Sequence, residues 1–256
     1  MSDLDHIQRW LRDVAAARAE VTRAVPGGMA VLHSEFPLAH DHNRLLVWSP
    51  VDAAALADAA EAVLADAGCE HRQVQVQVHA LADVLDAGLT GGGYRRTDEV
   101  VMARQPDADD TLAQQPPAPA IVELALAERA AVATDDWHEE QPEGSAELTR
   151  QLGQRITTVL DAVDATFLAI RDGSGSVAAR TDLYLRDGVA QIEEVMTTPG
   201  ARNRGFASAL VREAGRRARL SGADIVFLTA DADDWPAQLY GRLGFTELGR
   251  SASFAR

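Results

Sequence analysis

The sequence predicts an α/β chain of the α+β kind: a mixed, mostly antiparallel twisted sheet flanked by helices, present twice. Three observations carry this. In the second half, strand-like runs follow one another through Asp172-Gly173-Ser174-Gly175 and Arg186-Asp187-Gly188, both of hairpin composition. Toward the end of each half, helical and strand periodicities alternate. Both halves also finish alike. Gly93-Tyr94 opens a strand that closes Val101-Met102-Ala103-Arg104, and Gly244-Phe245 opens one that closes Ser253-Phe254-Ala255-Arg256.

In the first half, Leu4, Ile7, Leu11 and Val14 recur at helical spacing and predict a helix over 3–23, ended by Pro26-Gly27-Gly28. Short strands are expected at 28–34 and 43–48, then an alanine-rich helix from Ala53 to Ala67 closed by Gly68. Strict alternation in Gln73-Val74-Gln75-Val76-Gln77-Val78 predicts a half-buried strand. A helix over 81–88, a Gly91-Gly92-Gly93 turn and a strand over 94–104 complete the unit. In the second half, helices near 120–134 and 145–162 precede strands at 165–171, 176–186 and 189–198. A helix over 205–221, a strand over 224–230, a helix over 235–243 and a strand over 245–254 follow.

Between the halves, residues 106–119 read PDADDTLAQQPPAP, the composition of a linker. The expected division is therefore 1–105, linker 106–119, and 120–256, each half long enough for its own core.

Composition removes several chemistries. All 24 basic residues are arginine, which excludes the lysine of phosphate-binding loops and every lysine Schiff base. A formal charge of -15 argues against a nucleic-acid binder, which needs a positive field, and favours cationic partners such as amines. Cys69 is the single cysteine, so internal disulfides and multi-cysteine metal sites are excluded; no metal is expected. Without an apolar run near the roughly 18 residues that span a bilayer, no membrane is expected as a partner. No basic segment followed by an apolar one opens the chain, so the expectation is a cytoplasmic protein.

The informative stretch is 191–210, where a strand ends at Thr198-Pro199 and a helix starts near Gly205. Amides at a helix start are unpaired and carry partial positive charge. Gly205, Ala207 and Ser208 are small enough to let a pyrophosphate approach, and Arg202 and Arg204 add forked donors. The loop lacks the G-x-G-x-x-G dinucleotide pattern.

Arg202-x-x-Gly205-x-Ala207 resembles the Q/R-x-x-G-x-G/A pyrophosphate loop of the GCN5-related N-acetyltransferases. Val195-Met196-Thr197-Thr198-Pro199 resembles the strand and proline that lead into it. Ala237-Gln238-Leu239-Tyr240-Gly241-Arg242-Leu243-Gly244-Phe245 is similar to the family's A-x-x-L-Y-x-x-x-G-F segment. The resemblance covers about 120–256 and departs at Asp234, where the family often has Asn. It implies an acetyltransferase-like fold, present twice with a degenerate first copy, and acetyl transfer from the co-substrate acetyl-CoA to a primary amine of a small molecule or peptide. Modification of a protein N-terminus or lysine, and a non-catalytic acyl-CoA sensor, stand as alternatives.

On that resemblance, Val195, Met196 and Thr197 receive pantetheine and acetyl through main-chain groups. Arg202, Asn203, Arg204, Gly205, Phe206, Ala207 and Ser208 hold the pyrophosphate. Tyr240 matches the tyrosine that protonates departing coenzyme A. For the base, Glu193 is preferred over Glu194. Consecutive strand residues point to opposite faces, so at most one of them is expected in the cleft. A purely structural pair, with water as base, stays open. Asp135-Asp136-Trp137-His138-Glu139-Glu140 is read as an acidic loop that is either solvated or one wall of the acceptor site. His40-Asp41-His42 reads as a polar loop rather than a metal site, and Cys69 as a small buried residue. The oligomeric state, monomer or homodimer, is left open.

Overall fold

Eleven strands join in one continuous sheet in the computed structural model of the chain, which describes residues 2–104, 120–233 and 236–256. The expected linker at 106–119 and the departure at Asp234 lie outside the described residues. The first half runs α1 (Asp3–Arg18), β1 (Val21–Val25), β2 (Gly28–Leu32), β3 (Arg44–Val47), α2 (Ala53–Asp66), β4 (Gln73–Val76), α3 (His79–Gly91) and β5 (Arg95–Arg104). The second runs β6 (Ile121–Glu123), α4 (Leu126–Glu140), α5 (Ala146–Gln154), β7 (Asp164–Arg171), β8 (Val177–Arg186) and β9 (Val189–Thr197). It closes with α6 (Phe206–Leu220), β10 (Ile225–Asp231), α7 (Pro236–Arg242) and β11 (Thr246–Ala255).

From each meander onward the halves repeat one another. Three antiparallel strands are followed by a helix, a strand parallel to the third, a second helix and a last strand. The turn before the last strand is reproduced closely. Gly93 and Gly244 both take positive φ, +89° and +86°, a conformation that glycine adopts without a Cβ clash. The amides of Tyr94 and Phe245 reach back to the carbonyls of Leu89 and Tyr240, each at 3.1 Å. Leu89 thus occupies in the first copy the place of Tyr240 in the second.

The last strands trade places. The sheet order is β1-β2-β3-β4-β11-β5-β10-β9-β8-β7-β6. β11 pairs antiparallel with β4 of the first half, β5 with β10 of the second, and the two pair with each other from Thr246↔Ala103 to Ala255↔Arg95. Each half therefore completes its core with the other's terminal strand. Phe254 and Ala252 of β11 are fully buried among Leu45, Val74 and Leu85 of the first half. β5 alternates between two faces of the second half. Val100 and Met102 join the core that contains Leu210 of α6, while Val101 and Ala103 join the one that contains Trp10 of α1. Helix α1 itself packs on the second half, with the Trp10 ring edge-on to Phe227 at 5.3 Å and its indole N–H donating to the Arg186 carbonyl at 3.0 Å.

Three expectations change. The first helix stops at Arg18, and residues 21–25, rich in β-branched side chains, form edge strand β1. Its mostly exposed residues supply no burial alternation, so it reads as an extension of the helix. Strand β6, three residues long, stands where a helix was expected from 120, and α4 extends to Glu140. The acidic run 135–140 therefore lies on the last turns of a helix and not in a loop.

Because Phe254 is a C-terminal residue seated in the first half's core, Phe254→Ala should cost about 3–5 kcal/mol. Denaturant unfolding should show a single transition shifted as a whole. Two transitions with only one displaced would contradict the mutual completion of the halves.

Candidate functional site

Strands β9 and β10 pair over Val189↔Ile225, Ala190↔Val226 and Gln191↔Phe227 and then part. From Ile192 to Thr197 the β10-facing edge of β9 has no strand partner among the described residues. In the first half β3 is paired with β4 to its last residue, so no such opening exists there.

Within the open segment Glu194 takes φ +54°, opposite a register shift between Arg180 and Asp182 on β8. This bulge adds a residue to β9 and re-aims the side chains around it. Its result corrects the expectation of alternate faces: Glu193 and Glu194 both line one cavity, together with Gln191. The cavity, about 230 Å³, lies between the halves. Thr229 of β10, Glu99 of β5, Ser251 of β11 and residues of α1 close its other sides.

The two glutamates differ sharply in electrostatics. Burial would raise Glu194, but Arg180, Arg155 and Arg129 outweigh it and hold the carboxyl below its usual range. Arg180 Nη1 donates to it at 3.1 Å, and Arg155 and Arg129 stand at 3.5 Å. Glu193 has no arginine partner of this kind. Burial, then the charges of Glu194, Asp41, Glu99 and Asp182, push it up to about 8. Gln191 donates its side-chain amide to Glu193, and the Thr181 hydroxyl donates to the Glu193 carbonyl at 2.9 Å.

Beneath the strand lies an ion-pair network that sequence reading missed. Arg129 grips Asp182 with two bonds of 2.8 and 2.9 Å, both side chains being essentially inaccessible. Tyr184 donates its hydroxyl to the same carboxylate. Arg180 Nε donates to Asp136 at 2.8 Å, which gives that member of the acidic run a buried partner. Trp137 of the same run covers Arg155, with the guanidinium 5.6 Å from the ring centre. His40-Asp41-His42 forms a short 3-10 turn: Asp41 meets Arg155 and Arg44, His42 meets Thr158 and Arg18, and His40 stacks on His71.

At its far end β9 runs through Pro199–Ala201 into an exposed loop, Arg202–Gly205, and then α6. Asn203 and Gly205 take φ +62° and +77°, and Gly205 stands at the N-cap with no side-chain cap on the helix amides. A Cβ built on Gly205 meets nothing within 4 Å, so the approach is open. Uncapped amides, alternating φ sign and the helix dipole fit a diphosphate. Arg202 Nε donates to the Thr197 carbonyl at 3.4 Å, and Arg204 lies over the Phe206 ring. Phe206 is buried in the core, so only its main chain can serve a ligand, while Ala207 and Ser208 are half-buried in the first turn. The equivalent helix of the first half, α2, is closed by its own anion: the Asp52 carboxylate accepts from the amides of Ala54 and Ala55 at 2.9 and 3.1 Å.

Val195 packs partly buried against the second half's core, and Met196 and Thr197 line a second cavity of about 180 Å³ with Arg202 and α4. Tyr240, on α7, is 7% exposed and lies edge-on to Phe245. Burial, then the charge of Glu193, push its phenol up to about 12.

Residues 129–245 match the acetyltransferase (GNAT) family. Among solved structures, a functionally unknown conserved protein from Staphylococcus epidermidis superposes at TM-score 0.73 with 14% identity, over 92% of each chain. A GCN5-related N-acetyltransferase from Kribbella flavida superposes at 0.69 with 18% identity, over 100% of this chain and 96% of that one. A tandem GNAT protein from the clavulanic acid biosynthesis pathway superposes at 0.56 with 15% identity, over 100% and 95%. These likenesses show the fold. No curated protein matches the chain by sequence. Among the described residues, no helix is long and apolar enough to cross a membrane.

The Arg129–Asp182 pair yields a direct test. Asp182→Asn leaves the buried Arg129 guanidinium with only the more distant Glu194 carboxylate and should cost about 3–5 kcal/mol in equilibrium unfolding. Replacing both partners by apolar residues of similar volume should recover most of that loss, whereas an effect within about 0.5 kcal/mol for the single change would show that the pair is dispensable.

Proposed function

From the match of residues 129–245 to the acetyltransferase (GNAT) family, we propose that the chain belongs to that family and transfers an acetyl group from acetyl-CoA to a primary amine of a small molecule or peptide by direct attack. The observation that carries this reading is the unpaired edge of β9. It ends on an uncapped helix start at one side and presents Glu193 to a cavity at the other. We assign 120–256 as the acetyltransferase domain and 1–105 as a degenerate copy, closed at α2 by Asp52 and lacking a tyrosine at Leu89.

The amides from Arg202 to Ser208 hold the diphosphate, and the open main chain of Val195, Met196 and Thr197 receives the pantetheine arm. Bound acetyl-CoA supplies the activated thioester. A main-chain N–H near Val195 or Met196 stabilises the carbonyl oxygen as charge develops on it. Glu193 takes the proton that the amine loses as the new C–N bond forms. Near neutral pH a carboxyl at about 8 exists in both protonation states, as a general base requires. Tyr240, held protonated by burial, returns a proton to the thiolate as the C–S bond breaks. Glu194 is bound to three arginines and positions the bulge; it is the weaker candidate for the base.

Thiol release from acetyl-CoA against a panel of amines tests this. At saturating amine, kcat should rise about tenfold per pH unit below 8 and level above it, because only ionised Glu193 accepts the proton. Glu193→Gln should lower kcat about 10²–10⁴-fold and abolish that limb. Tyr240→Phe should slow turnover while leaving coenzyme A binding intact. Coenzyme A at about one hundred times its Kd should stabilise all three proteins by about 2.7 kcal/mol. Binding without thiol release from any amine would favour the acyl-CoA sensor.

A further inference from the structure

The ion pairs around the cavity balance to one exception. Arg44 and Arg155 share Asp41, while Arg155, Arg180 and Arg129 converge on Glu194. Arg129 and Arg180 also hold Asp182 and Asp136. Four guanidiniums thus meet four carboxylates. Arg18 of α1 lines the same cavity and stands outside this balance. Its partners are the Thr158 hydroxyl at 3.1 Å, the His42 ring at 3.2 Å and the Arg155 carbonyl at 3.5 Å. None carries negative charge. His42 is held neutral, chiefly by burial and then by Arg18 and Arg155.

The other polar groups of the cavity point the same way. Arg129 and Arg44 also line the cavity, and Arg129 Nη1 and Arg44 Nε are buried without a hydrogen-bond partner. Glu193 and Glu99 also line the cavity, but burial pushes both toward their neutral forms. Arg18 is half-buried, and a partly desolvated guanidinium without a counter-charge carries a cost that neutral hydrogen bonds offset only in part. The missing charge is one that a ligand can bring.

We propose that the acceptor is a small amino acid, whose carboxylate is taken by Arg18 while its amino group is presented to Glu193 in the same cavity. This rests on the acetyl-transfer reading and assigns the carboxylate reader to the first half, which carries no catalytic group. The reaction is the one described above: nitrogen gains the acetyl group, sulfur leaves as thiol, and the carboxylate is unchanged.

The test uses the full chain with coenzyme A and matched ligands: α-, β- and γ-amino acids, their carboxamides and the corresponding decarboxylated amines. In calorimetric titrations the preferred amino acid should bind about 10–100-fold more tightly than either neutral-ended analogue. Arg18→Gln should remove that margin and leave the analogues' affinities within about twofold. The same margin should appear in thiol release, mainly in KM. Equal affinities of acid, amide and amine for the wild-type chain would overturn the proposal, and that result needs no variant to fold. A carboxylate margin in binding without thiol release would refute acetyl transfer and leave the carboxylate reading standing. Thiol release from amines with no margin would do the reverse.

Discussion

The antiparallel pairing of β5 with β11 is the constraint on which the rest of the molecule depends. Each strand belongs by sequence to one half and by packing to the other, so the pair welds two small cores into one sheet. Neither half has a complete core without the other's strand. The pairing also sets the cavity, because Glu99 of β5 and Ser251 of β11 stand opposite one another and both face it.

Within that frame two local departures from regular structure produce the site. β9 leaves β10 after Gln191, and Glu194 takes a left-handed conformation that L-residues adopt only when their surroundings insist. What insists here is the arginine cluster, which fastens the Glu194 carboxylate from three directions. Glu193 is then delivered to the cavity without a cation of its own. Two adjacent glutamates thereby acquire opposite properties from their neighbours alone, one fixed as an anion and the other free to exchange a proton near neutrality.

Much of this was legible in the sequence, because glycine and proline mark the turns and alternation marks the strands. The meander, helix α6 and the loop from Arg202 to Ala207 fall where the residues suggest. The bulge was not legible, since Glu194 is neither Gly nor Asn and nothing flags its conformation. Arg129, Arg155 and Arg180 carry no local signal in the sequence that sets them apart from the other arginines. Their partners lie far away in sequence, Asp182 at 53 positions from Arg129, and only tertiary packing brings them together. The strand exchange left a faint signal. Val100-Val101-Met102-Ala103 is apolar at every position, as suits a strand covered on both sides, whereas an edge would alternate.

Asp52 carries a consequence for how the two copies differ at the same place in the fold. Its carboxylate accepts from the amides of Ala54 and Ala55 and so caps the start of α2 from within the chain. The corresponding amides of α6 have no side-chain cap. On the proposed reading the diphosphate of the co-substrate is their counter-charge, so one copy carries its anion within its own sequence and the other takes it from the molecule it acts on.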